Sequence, residues 1–526
     1  MKKIPLLYIK VGSAILAFVL LLCAVLLALA SYDDGSDIRI YDVFPDEPHA
    51  PSASSMGIIN PDSEMRGMWI ATVQNINYPS ASNLSNAKLK DELDDIIEKA
   101  KELGFNAIFF QVRPTADALY DSDIFPLSKY AYGSQKMFGA WDFDILGYLL
   151  ERAHQNNIRV HAWVNPLRVT AGSASSPQTD VNALHSMHPA RKNPEWVRAY
   201  ADGKLYFDAG IPEVRELVAS GVREIVERYD VDGIIFDDYF YPYPVSEKID
   251  GKEVDIEFDD ASTYEKYGAG YDDIADFRRD NINKMIKACY DAIKEVDEEC
   301  LFGVAPFGIW QNDDGKNGGS ATNGLSSYDD IYCDPIAWAK GGYIDYLAPQ
   351  IYWRFTTGVA PYGTLVDWWN SALDGTGVEL YIAHGVYLYD TWKDIDEELT
   401  RQIEYARGKL HYKGSILYGY AALAGNSNGL SDEVKDEFSQ NIIYSDTVSN
   451  GVEFAVSSHS DGEVVRGASV LLIGVSDPYY PLSLDGEPLS RDKNGNFSVL
   501  VPLVMGENVI TFHSGDTEYK IRLTRR

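Results

Sequence analysis

The chain has 526 residues, with 46 Lys and Arg against 79 Asp and Glu, giving a formal net charge of −33. This length allows more than one domain, and a hydrophobic content of 45% is typical of folded globular proteins. Because a negative field repels polyanions, the composition argues against a nucleic-acid partner. Only four cysteines occur, without metal-type spacing, which excludes a disulfide-rich scaffold.

The N-terminal 30 residues have the pattern of a targeting segment. Lysines open it, and an uncharged run follows over residues 11–30. The run ends in Ala28-Leu29-Ala30, which fits a signal-peptide cleavage site, yet it is also near the length that spans a bilayer. We therefore expect residues 1–30 to be a signal peptide or an N-terminal membrane anchor. Either makes the protein extracytoplasmic, secreted or held at the membrane through residues 11–30.

Eight short apolar runs then alternate with helical patterns. Residues 31–63, rich in Asp, Ser and Pro, predict a linker, and the alternation fills residues 64–444. The runs are nearly continuous in apolar residues, as expected for parallel strands covered on both faces. They lie at 67–73, 107–114, 159–166, 233–240, 301–308, 346–353, 379–387 and 414–422.

This alternation predicts an α/β fold, a (β/α)8 TIM barrel with long loop insertions. A doubly wound open sheet is the alternative, but no Gly-rich nucleotide fingerprint follows the first run. Residues 445–526 contain short strands separated by Gly, Asp and Asn turns, without helices. They predict an appended β-sandwich module.

Two adjacent carboxylates, Asp237 and Asp238, end the fourth apolar run. In a barrel, catalytic groups come from the C-terminal ends of the strands. Because side chains alternate along a strand, we expect one aspartate to face the barrel mouth and the other to bond to neighbours. Glycoside hydrolysis uses a pair of carboxyl groups, so both are candidate catalytic residues. The fifth run offers no acid, which leaves Asp117 and Asp390 as candidates for a partner from elsewhere.

Polar and aromatic residues at the other strand ends suit a saccharide. Amide, guanidinium and imidazole groups can bond to hydroxyls, and flat rings can stack on pyranoses. The predicted substrate-binding residues are Arg113, Asp117, His161, Trp163, Asn165, Tyr239, Trp310, Gln350, Tyr352, Trp353 and His384. We predict no cofactor. A metal held by the aspartates with His161 or His384 is an alternative that no metal-type histidine spacing supports.

Several motifs occur together and in order: "RGMWIATV", "FNAIFFQVRPTADALYDS", "VHAWVNPLRV", "DGIIFDDYFYP", "GVAPFGIW" and "YLAPQIYW". From about residue 64 to about 420, the chain resembles the glycosyl hydrolase-like 10 family, also called DUF187, whose members are mostly bacterial and extracytoplasmic. The resemblance implies a TIM-barrel glycoside hydrolase domain with Asp237 and Asp238 in its active site. It also implies an envelope or extracellular polysaccharide as substrate, with peptidoglycan glycan strands as one candidate. It implies no acid/base partner.

The main hypothesis is a glycoside hydrolase that acts on an extracytoplasmic polysaccharide. A non-catalytic glycan-binding or scaffold protein that keeps the barrel is the alternative, because the fifth run lacks an acid and a β-module is present. A metal-assisted hydrolase that acts on acyl groups is a third hypothesis.

Overall fold

The computed structural model describes residues 64–139, 142–249, 252–391, 397–439, 454–477, 482–489, 491, 495–514 and 517–526. The predicted targeting segment at 1–30, the linker at 31–63 and the boundary between 444 and 445 lie outside the described residues, as does the side chain of Asp390. Within those ranges, no helix combines the length and apolar character needed to cross a bilayer.

Eight parallel strands close into a barrel, which confirms the TIM-barrel prediction and makes the open-sheet alternative wrong. Each strand pairs with the next along the chain, and the eighth pairs with the first. The strands are β1 Met65–Ile70, β2 Ala107–Arg113, β3 Arg159–Val164, β4 Gly233–Phe236, β5 Leu301–Val304, β6 Tyr346–Leu347, β7 Glu379–His384 and β8 Tyr412–Leu417.

One main helix follows each strand. They are α1 Asn86–Glu102, α2 Ile145–His154, α3 Pro212–Arg228, α4 Ile274–Val296, α5 Pro335–Gly341, α6 Tyr362–Ala372, α7 Glu398–Arg407 and α8 Leu430–Phe438. The side chain of Ser85 caps α1 by accepting from the Lys88 amide, and α1 buries Leu89, Leu93, Ile96 and Ile97 on one face. That apolar stripe is what holds the helix against the barrel.

Shorter elements fill the insertions between strands and helices. Short α-helices are Lys129–Tyr132, Pro189–Lys192, Ala261–Tyr267, Ser327–Asp330 and Tyr420–Ala424, and 3-10 turns are Val73–Asn75, Val181–Ala183, Pro194–Trp196, Val386–Asp390 and Ser427–Gly429. Two small hairpins pair Val197–Ala199 with Leu205–Phe207 and Val245–Ile249 with Lys252–Ile256.

The barrel interior is packed with side chains. Trp69, Phe109, Ile235 and Tyr346 belong to one buried apolar cluster inside the ring of strands. Glycines make room for the large rings: a Cβ at Gly303 would lie 2.1 Å from the ring of Tyr346. Because this interior is filled, a ligand can enter only at the mouth.

The C-terminal strands form two sheets around their own core. The strands are β9 Ala455–Val456, β10 Glu463–Val465, β11 Ser469–Val475, β12 Leu482–Leu484, β13 Glu487–Pro488, β14 Asn496–Pro502, β15 Gly506–Ser514 and β16 Thr517–Arg525. One sheet has the order β9-β11-β14 and the other β10-β16-β15-β12-β13, and every pairing is antiparallel except that of β10 with β16. Residues of both sheets share one apolar cluster, which confirms the predicted β-module.

Candidate active site

A cavity of about 520 Å³ opens at the C-terminal ends of the barrel strands. Each of the eight strands, or the segment directly after it, contributes to its lining, because the loops at this end converge. In chain order, one contributor from each is Trp69, Gln111, Trp163, Asp237, Phe307, Gln350, Tyr387 and Tyr418. Arg168, Lys204, Asp238, Tyr239, Tyr243, Tyr352 and Trp353 also line it.

Asp237 and Asp238 both line this cavity, so the expectation that they face different ways was wrong. Strand β4 ends at Phe236, and the two aspartates follow it in irregular backbone. Side-chain alternation therefore does not apply to them. Both are almost inaccessible to solvent, at 5% and 1% exposure.

Asp237 is surrounded by groups that favour its ionised form. The side-chain amide of Asn165 donates to Asp237 Oδ2, and the backbone amide of Tyr239 donates to Oδ1 over 3.4 Å. Burial raises the pKa of Asp237, while the positive charge of Arg168 and the hydrogen bond from Asn165 act against that rise. Asp237 is thus the member of the pair with a nearby cation.

A hydrogen-bond relay fixes the orientation of Asn165. Its Oδ1 accepts from Gln111 Nε2 over 2.6 Å and from Arg168 Nη2 over 2.9 Å, so its NH2 group must face Asp237. Gln111 Oε1 in turn accepts from the backbone amides of Thr72 and Val73 over 2.8 and 2.9 Å. Asn165, predicted to bind substrate, does not line the cavity and instead positions a carboxylate.

Within the described ranges, no lysine or arginine forms an ion pair with Asp238. Burial and the charge of Asp237 raise the pKa of Asp238 to about 7, against the lowering effect of Tyr243 and Gln350. The hydroxyl of Tyr243 donates directly to Asp238 Oδ2. Two adjacent carboxylates therefore have different electrostatic surroundings within one cavity.

Aromatic rings form much of the remaining lining. Among the predicted binding residues, Trp163, Tyr239, Tyr352 and Trp353 line the cavity, as does Gln350. The rings of Tyr352 and Tyr418 are nearly parallel, with an interplanar angle of 6° and centroids 6.1 Å apart. The structure brings these predicted residues together, and their contact with substrate stays a prediction.

Two predicted histidines lie elsewhere. His161 points into the barrel interior, where its Nδ1 lies 2.8 Å from the Tyr346 hydroxyl, and burial lowers its pKa to about 3. His384 lies between strand and helix, with Nδ1 3.1 Å from Gln402 Oε1 and Nε2 2.9 Å from Ser415 Oγ. Burial lowers the pKa of His384 to about 4. Neither histidine lines the cavity, so the structure does not bring them together with the other predicted binding residues.

Arg113, Asp117 and Trp310 are also absent from the cavity lining. The Arg113 guanidinium stacks on the Phe125 ring, 4.5 Å from its centroid, in the layer between strands and helices. Asp117 is buried and accepts from Thr115 over 2.8 Å. Trp310 lines a separate groove. The structure therefore does not bring these three predicted residues to the cavity.

The described residues contain no group of three or more His, Cys, Asp or Glu side chains that could hold a metal ion. The histidines proposed to share a metal with the aspartates are engaged by Tyr346, Gln402 and Ser415, as described above. The geometry thus gives the metal alternative no ligand set around Asp237 and Asp238.

One wall of the cavity is built by the insertion between β3 and α3. It contributes Arg168, Lys204 and residues 171–173. Gly203, at φ +84°, packs so closely that a Cβ there would lie 2.1 Å from the Ser173 carbonyl oxygen. The Lys204 ammonium lies 2.6 Å from Asp202 Oδ2. Arg168 and Lys204 are not among the residues predicted from the sequence; for Arg168 the available signal was its position three residues after Asn165.

A closed parallel barrel whose mouth holds a buried carboxylate pair among aromatic rings defines a glycosyl hydrolase-like protein. The family model for glycosyl hydrolase-like 10 matches residues 64–399, and the chain belongs to this family.

Named relatives agree with this assignment. The chain is 39% identical over 383 residues to glycosyl hydrolase YngK of Bacillus subtilis (strain 168), covering 72% of each chain. It is 34% identical over 373 residues to glycosyl hydrolase DigH of Escherichia coli (strain K12), covering 67% of this chain and 82% of that protein. Among solved structures, the endo-beta-1,4-mannanase from Thermotoga petrophila is similar at a TM-score of 0.41 and 10% identity, over 88% of this chain and 98% of that chain.

Proposed function

We propose that this protein hydrolyses glycosidic bonds of an extracytoplasmic polysaccharide, with bacterial cell-wall glycan as the first candidate substrate. The observation that carries the proposal is the pair of buried carboxylates, Asp237 and Asp238, in the lining of the aromatic-rich cavity. Family membership supports a carbohydrate substrate. The targeting pattern of residues 1–30 supports action outside the cytoplasm, where cell-wall glycan lies.

The two aspartates take different roles in this proposal. Asp238, whose pKa is raised to about 7, carries a proton and donates it to the glycosidic oxygen as the bond to the anomeric carbon breaks. Asp237, where the charge of Arg168 and the hydrogen bond from Asn165 oppose the rise of its pKa on burial, is assigned the carboxylate role, in which it either attacks the anomeric carbon or removes a proton from the attacking water. If Asp237 attacks, water then breaks the ester between Asp237 and the anomeric carbon, giving its hydroxyl to that carbon and its proton to Asp238. If Asp237 acts as the base, water gives its hydroxyl to the anomeric carbon and its proton to Asp237, and exchange with solvent restores both carboxyl groups.

The aromatic lining supports sugar binding rather than binding of a fully polar ligand. Rings such as Trp163, Tyr239 and Trp353 can stack on the apolar faces of pyranoses. Gln350 and Lys204 provide donors for hydroxyl or carboxylate groups at the same cavity.

The test is hydrolysis of purified peptidoglycan glycan strands by Asp237→Asn and Asp238→Asn variants, measured as released reducing ends. We expect each variant to lose activity by about 10²–10⁴-fold, the usual contribution of an acid or base catalyst. Asp272→Asn, at an exposed aspartate, is the matched control and should keep full activity. Full activity in both active-site variants would overturn the proposed roles.

One observation favours the alternative of a non-catalytic glycan-binding protein. Among the described residues that line the cavity, Asp237 and Asp238 are the only acids, and they come from one segment rather than from two strands. Mass spectrometry of cell-wall and plant polysaccharides after incubation decides between the two. Binding without any released product across that panel would favour the binding protein.

A further inference from the structure

A second groove, of about 400 Å³, lies on the outer side of the barrel and shares no lining residue with the active-site cavity. It is formed by α5, α6 and the segment between β5 and α5. Its lining includes the side chains of Trp310, Ile336, Lys340, Trp368, Ser371 and Ala372.

Two tryptophans give the groove a fixed aromatic surface. The rings of Trp310 and Trp368 are nearly parallel, at 18°, with centroids 5.5 Å apart. Their indole N–H groups donate to different acceptors, Trp310 to Asp334 Oδ1 over 3.2 Å and Trp368 to the Gly318 carbonyl over 2.8 Å. Both rings are only partly buried. Their polar atoms are thus satisfied within the protein, and the carbon surface remains for a ligand.

Polar groups stand beside this aromatic surface. Lys340 of α5 and Ser371 of α6 are exposed, and their side chains make no hydrogen bond or ion pair within the part of the chain that the structure describes. An aromatic platform next to free hydroxyl and ammonium donors matches a pyranose, which has an apolar C–H face and a hydroxyl edge.

The groove is joined to the active-site cavity by packed residues. Trp368 packs edge-on against Trp369, whose indole N–H donates to the Gly308 carbonyl over 2.8 Å. A Cβ at Gly308 would lie 2.7 Å from the ring of Trp353, which lines the cavity. Phe307 lines the cavity and Trp310 the groove, so the segment after β5 serves both.

We propose that this groove is a second saccharide-binding site, which holds another part of the same polymer while one of its bonds lies at Asp237 and Asp238. The identity of that polymer rests on the proposed function. Sugar rings stack against Trp310 and Trp368, and Lys340 and Ser371 donate to hydroxyl or carboxylate groups of the chain.

The binding test uses the full chain with Asp237→Asn, so that turnover does not consume the probe. Co-sedimentation with insoluble bacterial cell walls is measured for the Asp237→Asn protein and for two double variants, which carry Trp368→Ala or Ser371→Glu in addition. Ser371→Glu keeps the fold because the position is exposed on a helix, while its carboxylate fills the groove beside Lys340. We expect each added change to weaken binding about tenfold.

Tyr405→Ala is the matched control, since Tyr405 is a partly buried aromatic residue on α7 that lines neither site. It should leave binding unchanged. If the Trp368→Ala and Ser371→Glu proteins bind as tightly as the Asp237→Asn protein without them, or if Tyr405→Ala causes the same loss, the second site is overturned.

A catalytic arm separates this inference from the proposed function. With Asp237 intact, Ser371→Glu should slow release from cell walls but leave hydrolysis of a short soluble oligosaccharide within about twofold, because the position is exposed and the short chain occupies only the cavity. If no hydrolysis occurs at all, the proposed function fails, and the binding measurement still decides whether the groove holds glycan.

Discussion

At the residue scale, two neighbouring aspartates of identical chemistry are distinguished by what surrounds them. Arg168 and Asn165 act on Asp237, and Tyr243 donates to Asp238. The position of the pair at a strand end was predictable, because acids at the end of an apolar run have few structural explanations. The orientation of the two side chains was not predictable, because β4 ends at Phe236, one residue before Asp237. The approach of Arg168 to Asp237 depends on the insertion between β3 and α3, which brings Arg168 back toward the cavity.

The pH dependence of hydrolysis should report the proton on Asp238. Since that acid must be protonated and its pKa is about 7, kcat/KM should fall as pH rises through about 7. The hydrogen bond from Tyr243 lowers this pKa, so Tyr243→Phe should raise it and move the alkaline limb to higher pH. The measurement is a kcat/KM profile from pH 4 to 10. Tyr405→Phe is the control, and a limb that stays in place or moves to lower pH in Tyr243→Phe would contradict the assignment.

At the element scale, the apolar runs located all eight strands but overran their ends. The run at 346–353 contains a strand of only two residues, Tyr346–Leu347, and the run at 233–240 stops being a strand after Phe236. The overhanging residues, Gln350, Tyr352, Trp353 and the aspartates, line the cavity. Periodicity cannot separate a buried strand from a buried loop that continues it. Helix α5 was not predicted, because its seven residues are too few to show a helical hydrophobic period.

The β3–α3 insertion offers a test of how tightly the cavity wall is built. Gly203→Ala would add a methyl group 2.1 Å from the Ser173 carbonyl oxygen at φ +84°, so the wall that carries Lys204 must shift. We expect a clear loss of both melting temperature and kcat/KM. Gly270→Ala is the matched control, because Gly270 has φ +102° but nothing within 4 Å of an added Cβ. It should cost only about 1–2 kcal/mol of backbone strain. Equal effects of the two changes would show that the close contact is unimportant.

At the scale of the whole molecule, the barrel and the C-terminal module have separate apolar cores. Among the described residues, no side chain belongs both to the module cluster and to either barrel cluster. The switch from alternating strands and helices to strands alone predicted this division, because each pattern needs its own way of burying apolar faces. The boundary between the cores falls within residues 440–453, outside the described ranges.

Because the cores are separate, we expect that the module can be destabilised without a change in the rate of hydrolysis. Leu472→Ala removes a fully buried side chain from the module core and should cost about 2–5 kcal/mol of its stability. Hydrolysis of a short soluble oligosaccharide should be unchanged. Calorimetry and a reducing-end assay measure the two effects, and Leu471→Ala, at a neighbouring position that is 41% exposed, is the control. A parallel loss of activity in Leu472→Ala would mean that the barrel depends on the module.

The origin of both acids in the one segment after β4 has a consequence for how such proteins diversify. Because both acids belong to one short segment, the distance between them does not depend on how the other seven strands are spaced. The aromatic residues of the cavity come mostly from those other strands. Under the proposed function, reactivity and sugar selectivity would therefore reside in separable parts of the ring. Exchanging the loops after β5 to β8 should then change which polymer is accepted in a product assay while hydrolysis itself is retained.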